Sequence, residues 1–254
     1  MTHSLHTLVR DLRLRRGRER RGLALAEGVR LVEEALAARV PIRHLLASPA
    51  LEATPRGRTL KAALAAAGHT LAPMAEREFD QLAATQHPQG ILAVIEPPRW
   101  ELDAIHSGAL APVLVLDGVQ DPGNVGTMVR TAFALGAAGI LALPGTAELT
   151  NPKTLRATMG GYFRLPCVGV DETGFRRWAE SAGVRVLLAA ADGPAFSGAG
   201  GTSLAVVVGN EGQGIRPSLA AWARGRIGIP LRDGAESLNV AVAAGILLYE
   251  VTRG

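Results

Sequence analysis

A chain of 254 residues, 48% of them apolar, holds enough material for one large globular unit or two small ones. No apolar run approaches the ~20 residues of a bilayer-spanning helix, and the basic segment near the start runs on into more arginine, which is not the layout of a secretory signal. The net charge is only +4, and the one cysteine, Cys167, rules out an internal disulfide framework, so a cytoplasmic protein is expected.

The first feature along the chain is a crowd of arginines, Arg10, Arg13, Arg15, Arg16, Arg18, Arg20 and Arg21, set against Asp11 and Glu19. Guanidinium forks match phosphate oxygens. The run therefore reads either as a nucleic-acid footprint, with Arg10, Arg13, Arg15, Arg16 and Arg18 as candidate contacts, or as a solvated helix face. Helical spacing follows from Glu27 to about Arg39, in Val29, Leu31, Val32, Ala35 and Leu36. A strand over Ile42–Ala47, a helix from about Arg58 to Ala67, a short strand near Thr70–Pro73, a helix from about Glu76 to Ala83 and an apolar strand Ile91–Ile95 complete a small α/β unit. Pro97-Pro98 ends it, because neither residue donates to a ladder and each restricts its predecessor. A linker over about Glu96–Ala111 then separates a domain 1–98 from a domain 108–254.

The second half alternates strand and helix: Val113–Leu116, Asn124–Leu135, Gly139–Leu143, Asn151–Gly160, Cys167–Val170, Gly174–Ala182 and Arg185–Ala189. A Gly-rich loop Gly193–Gly201 follows, then a strand Leu204–Val208, a short helix Arg216–Ala223, a strand Arg226–Ile229 and a closing helix from about Ser237 to Val251. Strands of consecutive apolar residues between helices predict a mostly parallel sheet covered on both faces.

Three loops at the ends of these strands hold the unusual polar residues. Leu116-Asp-Gly-Val-Gln-Asp-Pro-Gly-Asn124 leads into a helix that Asn124 could cap, with Arg130 less than two turns on. Val208-Gly-Asn-Glu-Gly-Gln-Gly214 carries three glycines and the carboxylate Glu211. Ile229-Pro-Leu-Arg-Asp-Gly-Ala-Glu-Ser-Leu-Asn239 brings Ser237 and Asn239 to the start of the last helix, a terminus that favours negative charge. Each loop alone also reads as a plain corner, turn or cap. Their joint position at the carboxyl ends of strands is where open α/β sheets bind ligands. No Gly-x-Gly-x-x-Gly fingerprint, Gly-Lys-Ser/Thr phosphate loop or Gly-x-Ser-x-Gly elbow occurs. The six histidines all precede the second half without zinc spacing, so no metal is expected.

Taken together, residues 116–132, 208–215 and 229–243 resemble the three motifs of the SpoU family, the ribose 2′-O-methyltransferases of the SPOUT superfamily, in order and in spacing. Asn151–Gly160 and Phe163–Pro166 also look like family sequence, and the resemblance covers about residues 112–252. Glu27–Ala35 and Gln89–Val94 resemble, less closely, the family's substrate-binding domain, which is similar to an L30e/L7Ae-like fold. The resemblance implies an α/β chain with that small N-terminal domain and a parallel sheet whose C-terminal part is tied in a deep trefoil knot. It also implies a homodimer, S-adenosyl-L-methionine as methyl donor and RNA as substrate. Carried over, Gly209, Ile229 and Leu238 would line the donor pocket and Asn210, Gly212, Pro230 and Asn239 would shape it. The catalytic set implied is Asn124, Arg130, Glu211, Ser237 and Asn239.

Arg130 is the residue the family assigns to activating the ribose hydroxyl. An arginine with a pKa above ~12 is a poor base, so an electrostatic clamp on the developing alkoxide is the expected role. Large-subunit ribosomal RNA is the expected substrate, with transfer RNA, or a non-catalytic RNA-binding or ribosome-assembly role, as the alternatives. Thr158 and Ala241 stand where many members have serine.

Overall fold

The structure, a computed structural model, describes residues 2–108, 110–198, 201–223, 225–233 and 236–253, with side chains from Leu5 onward. Ala199 and Gly200 of the expected Gly193–Gly201 loop, Ala109 of the linker, and Gly234 and Ala235 of the third polar loop lie outside the described residues. The elements run α1 (Thr2–Arg13), α2 (Arg15–Arg21), β1 (Ala24–Glu27), α3 (Val29–Ala37), β2 (Ile42–Ala47), α4 (Pro55–Ala66), β3 (Leu71–Pro73), α5 (Glu76–Leu82) and β4 (Ile91–Ile95). They continue with β5 (Val113–Asp117), α6 (Pro122–Ala134), β6 (Gly139–Ala142), α7 (Pro152–Ala157), β7 (Cys167–Gly169), α8 (Glu172–Ser181), β8 (Arg185–Ala189), β9 (Leu204–Gly209), α9 (Pro217–Trp222), β10 (Gly225–Ile227) and α10 (Val240–Arg253).

Two compact units emerge. The first comprises the chain up to Arg99 together with Thr150–Phe163. Its sheet is ordered β1-β4-β2-β3, with β1 and β2 antiparallel to β4 and β3 parallel to β2. Strand β1 departs from the sequence reading, which began a helix at Glu27. Its four residues are all buried, and Gly28, at φ 100°, turns the chain into α3 one residue later. Leu12, Leu25, Leu46, Phe79, Leu92 and Val94 form the core beneath α1 and α5. The segment Thr150–Phe163 packs α7 against β1. Gly160, at φ 89°, sits so close to α3 that a Cβ there would lie 2.5 Å from Glu34 Cβ. A division read from one proline-rich linker registers a single crossing of the chain and places this segment elsewhere. Within it, the expected helix Asn151–Gly160 is shorter: Asn151 caps α7 by accepting from Lys153 N at 2.9 Å.

The arginine-rich stretch is two short helices meeting at a tight corner, and one of its candidate contacts is corrected. Arg18 is 4% exposed, and its Nη1 donates to the carbonyls of Leu12 and Arg13, both at 2.9 Å, at the end of α1. It satisfies helix-end carbonyls that would otherwise be orphaned, so it is not available to a phosphate. Gly17 permits the corner, since a Cβ there would lie 2.0 Å from Asp11 O. Arg20 and Arg21 are engaged by Asp11, at 2.9 and 2.5 Å. Arg10, Arg13, Arg15 and Arg16 are exposed, although Arg13 also donates to Ala83 O at 2.8 Å and Arg15 pairs with Glu19 at 2.7 Å.

The second unit comprises Trp100–Leu149 and the chain from Arg164 onward. Its six strands are all parallel, in the order β10-β8-β9-β5-β6-β7. Strands β5 and β9 are buried along nearly their whole length, as a sheet covered on both faces requires. From β5 the chain proceeds outward through β6 to β7, whereas from β9 it proceeds through α9 to β10. The strand order therefore reverses between β5 and β9, the switch point at which such sheets open a crevice at their carboxyl ends. Two helix starts differ from expectation. Helix α6 begins at Pro122, whose missing N–H costs nothing there, and its cap is Asp121, which accepts from Asn124 N at 2.9 Å. Asn124 therefore lies inside the first turn, with its side chain released from capping. Helix α10 begins at Val240, with Asn239 Oδ1 accepting from Ala241 N and Val242 N at 2.9 and 3.3 Å.

Replacing Arg18 with alanine leaves two helix-end carbonyls, one buried and one part-buried, without their charged donor. The expected loss is about 1.5–3 kcal/mol of unfolding free energy. Urea denaturation of the full chain measures it, and a change within experimental scatter would refute the capping role.

Candidate functional site

At the β5/β9 switch point three loops meet without any sheet ladder, and side chains hold them. The second loop folds back on itself: Asn210 N donates to Gly214 O at 3.0 Å and Gly214 N to Asn210 O at 2.9 Å. Gly209 is required at its base, because a Cβ there would lie 2.3 Å from Gly214 C and 2.4 Å from Ile215 N. The Asn210 side chain uses both ends of its amide on this knuckle and its neighbour. Oδ1 accepts from Gly212 N and Gln213 N, each at 2.9 Å, and Nδ2 donates to Gly118 O in the first loop at 2.8 Å. Thr146 Oγ1 holds the same first loop from its other side, accepting from Gly118 N at 3.1 Å and donating to Leu116 O at 2.8 Å.

Three of the expected catalytic residues form a chain. Asn239 Nδ2 donates to Asn124 Oδ1 at 3.2 Å, and Asn124 Nδ2 donates to Glu211 Oε1 at 3.0 Å. Gln120 N reaches Glu211 Oε2 at 3.4 Å. The direction of each bond fixes how both amides are turned. Partial burial would raise the Glu211 pKa, but donors from Asn124, its own backbone and the backbone of Gln120 and Asp121 outweigh it. The carboxyl is held below its ordinary value of 4.5, so Glu211 is a carboxylate at neutral pH. Ser237 is exposed beside this chain, with no hydrogen-bond partner among the described residues. Arg130 is not brought into it. It lies about one and two-thirds turns beyond Asn124, exposed and without an ion pair or hydrogen bond among the described residues.

Next to the chain lies a cavity of about 490 Å³ between the ends of β8, β9 and β10 and the start of α10. That size suits a small-molecule ligand. Of the expected pocket residues, Gly209, Asn210, Ile229 and Leu238 line it, together with Glu211, Ser237 and Asn239, whereas Gly212 and Pro230 do not. The Gly212 N–H is already committed to Asn210, and Pro230 is exposed. Sequence reasoning missed the wall made by Ala189–Ala191 and the contribution of Gly228. Gly228 is forced by close approach, since a Cβ there would lie 2.2 Å from Gly193 O; the paired glycines were the only signal available. Among the described residues the lining is mostly aliphatic side chains and backbone, with Asn210, Ser237 and Asn239 as polar members and Glu211 as its one charged residue. Among the described residues no group of His, Cys, Asp and Glu is placed to hold a metal, and no helix is long and apolar enough to cross a membrane.

Because the Glu211 carboxyl titrates below its unfolded value, the contacts it accepts contribute fully above that value. They are lost as pH falls through the lower, folded one. Replacing Asn124 with alanine removes a donor, and the Glu211 midpoint is expected to rise toward 4.5. Carboxyl-resolved NMR titration of parent and variant tests this; identical midpoints would show that Asn124 does not set the charge.

Residues 111–249 match the model of the SpoU rRNA Methylase family, and residues 8–93 match an MRM3-like substrate binding domain. The chain is similar to the 23S rRNA (guanosine(2553)-2'-O)-methyltransferase RlmP of Bacillus subtilis (strain 168), 34% identical over 244 residues that cover 95% of this chain and 93% of that protein. It is also similar to the 23S rRNA (uridine(2479)-2'-O)-methyltransferase of Streptomyces viridochromogenes, 30% identical over 94% of this chain and 85% of that protein. Among solved structures, the AdoMet-bound rRNA methyltransferase from Sinorhizobium meliloti superposes with a TM-score of 0.86 at 31% identity, covering 100% of this chain and 95% of that one.

Proposed function

Since the chain belongs to the SpoU rRNA methylase family, we propose that it transfers a methyl group from S-adenosyl-L-methionine to a ribose 2′-hydroxyl of large-subunit ribosomal RNA. The observation that carries this reading is the hydrogen-bonded run Asn239–Asn124–Glu211 on the rim of a cavity of about 490 Å³ at the switch point. The cavity fits the donor in its chemistry. Aliphatic walls and open backbone suit an adenosine ring, and the one charged lining residue, a carboxylate, tolerates a sulfonium cation. When bound, S-adenosyl-L-methionine supplies an electrophilic methyl. Gly209, Ile229 and Leu238 would hold it, mainly through backbone groups.

The protein's remaining task is to present the ribose oxygen and ease loss of its proton. Asn124, fixed on one side by Asn239 and on the other by Glu211, orients the ribose. Arg130 stabilises the charge that develops on the oxygen as its proton passes to solvent water. Arg130 lies apart from Glu211 within one chain, and this agrees with a site completed in a homodimer. In support, α10 exposes Val242 (50%), Ile246 (36%) and Tyr249 (45%) along a groove lined by α6 and α10. A second copy covering this apolar face would bring catalytic residues to the shared boundary. Within this reading the polypeptide near α10 threads the deep trefoil knot, the enzyme works in the cytoplasm, and the first unit carries the RNA through Arg10, Arg13, Arg15 and Arg16.

The test is transfer of labelled methyl groups to unmodified ribosomal and transfer RNA, followed by nucleoside mass spectrometry. A 2′-O-methylated nucleoside in 23S RNA is expected; RNA binding with no transfer to either RNA would sink the proposal. Replacing Arg130 with alanine should abolish transfer while donor affinity, measured by calorimetry, stays within about twofold. Normal turnover would remove Arg130 from the mechanism.

Charge reversal at Arg10 and Arg16 together should weaken RNA binding and reduce the salt slope by about 2, the expectation for two lost phosphate contacts. An unchanged slope in a filter-binding titration would return these arginines to a solvated face.

A further inference from the structure

The knuckle that carries Glu211 is held to the first loop at two adjacent residues, one from each of its ends. Before the tip, Asn210 Nδ2 donates to Gly118 O at 2.8 Å. After it, Arg216 grips Asp117: its backbone N donates to Oδ2 at 2.8 Å and its Nε to Oδ1 at 2.5 Å. Arg216 Nη2 also donates to Pro144 O at 2.8 Å, just beyond β6. The Asp117 side chain is 2% exposed and that of Arg216 27%. Neither residue was singled out in the sequence, where Asp117 only ends an apolar strand and Arg216 only precedes a proline.

We propose that Arg216 is a positioning residue for methyl transfer: clamped to Asp117 and Pro144, it fixes the exit of the knuckle so that Glu211 meets Gln120 and Asn124. The inference rests on the methyltransferase reading above. The first loop is already immobilised by Thr146 on its far side, so the knuckle is the part free to move. Without the guanidinium the exit loses its side-chain fork and keeps a backbone N–H bond to Asp117 Oδ2, so the knuckle can pivot about the Asn210–Gly118 bond. The turn is opposed at the tip by the contacts of Glu211 with Gln120 N and Asn124. A pivot carries the tip residue Glu211 away from its donors. It also shifts Gly214 and Ile215, which line the donor cavity. Arginine is needed because one planar fork serves Asp117 and the Pro144 carbonyl together; a lysine ammonium is a single point and serves them in turn.

The experiment combines Arg216→Met, Arg216→Lys and Asp117→Asn with the double variant Asp117→Asn/Arg216→Met, each as the full chain. Methyl transfer to ribosomal RNA gives kcat and KM, and hydrogen–deuterium exchange reports the two loops. For Arg216→Met, kcat is expected to fall at least tenfold with KM for RNA within about twofold, while exchange quickens over residues 118–124 and 210–215. Arg216→Lys should recover part of kcat. The double variant should be no worse than the poorer single, as expected for two residues acting as one unit.

Parental kcat and exchange in Arg216→Met, or losses in the two single variants that simply add, would overturn the inference. If Arg216→Met does not fold, Asp117→Asn, which keeps the side chain's size, decides by the same two readouts. A parent that methylates no RNA counts against the function itself, and the exchange data still judge the clamp.

Discussion

The amide of Asn210 is the interaction on which the site depends. Strands β5 and β9 end side by side, and beyond those ends the sheet ladder no longer satisfies the backbone. An amide can accept two N–H groups and still donate, and Asn210 uses this capacity in full, closing its own loop while bonding the neighbouring one. Aspartate would match the acceptors and lose the donor; a serine would be too short for both. The loop's glycines have the same origin. Gly209 cannot carry a side chain because the knuckle it starts returns onto it, and that return brings Glu211 to the rim of the cavity.

The site's electrostatics follow from this arrangement. A carboxylate in a partly buried rim would ordinarily hold its proton more tightly. Here backbone and amide donors converge on it, so Glu211 remains charged and acts as the fixed acceptor that orients Asn124 and, through it, Asn239. The amides' direction is set from the charged end of the chain, which gives the rim a defined pattern of donors and acceptors before any ligand arrives. Such preorganisation is what an alignment-dependent group transfer needs.

Much of this was legible in the sequence. Consecutive apolar residues such as Val113 to Leu116 predicted buried parallel strands, and the polar loops at their ends predicted the place of the site. What could not be read has particular physical causes. Asp121 and Asn124 are both competent caps, and Pro122, at home in a first helical position, selects Asp121. Arg18 has the same composition signal as its exposed neighbours, yet a corner made possible by Gly17 turns it inward. Strand β1 is too short to show an alternation, and its burial comes from a partner, β4, far along the chain. The Asp117–Arg216 pair joins residues nearly a hundred positions apart, a separation at which charge pattern carries no information.

The segment Thr150–Phe163 bears on how the chain is made. The first compact unit is not encoded in one continuous stretch: its sheet and most of its helices precede Arg99, but α7, which packs on β1, is translated only after some 50 further residues. At about 5–20 residues per second, the nascent polypeptide spends several seconds with the face of β1 that takes α7 uncovered. Vectorial synthesis thus delivers a late piece to an early domain, so its maturation is paced by translation of the second half.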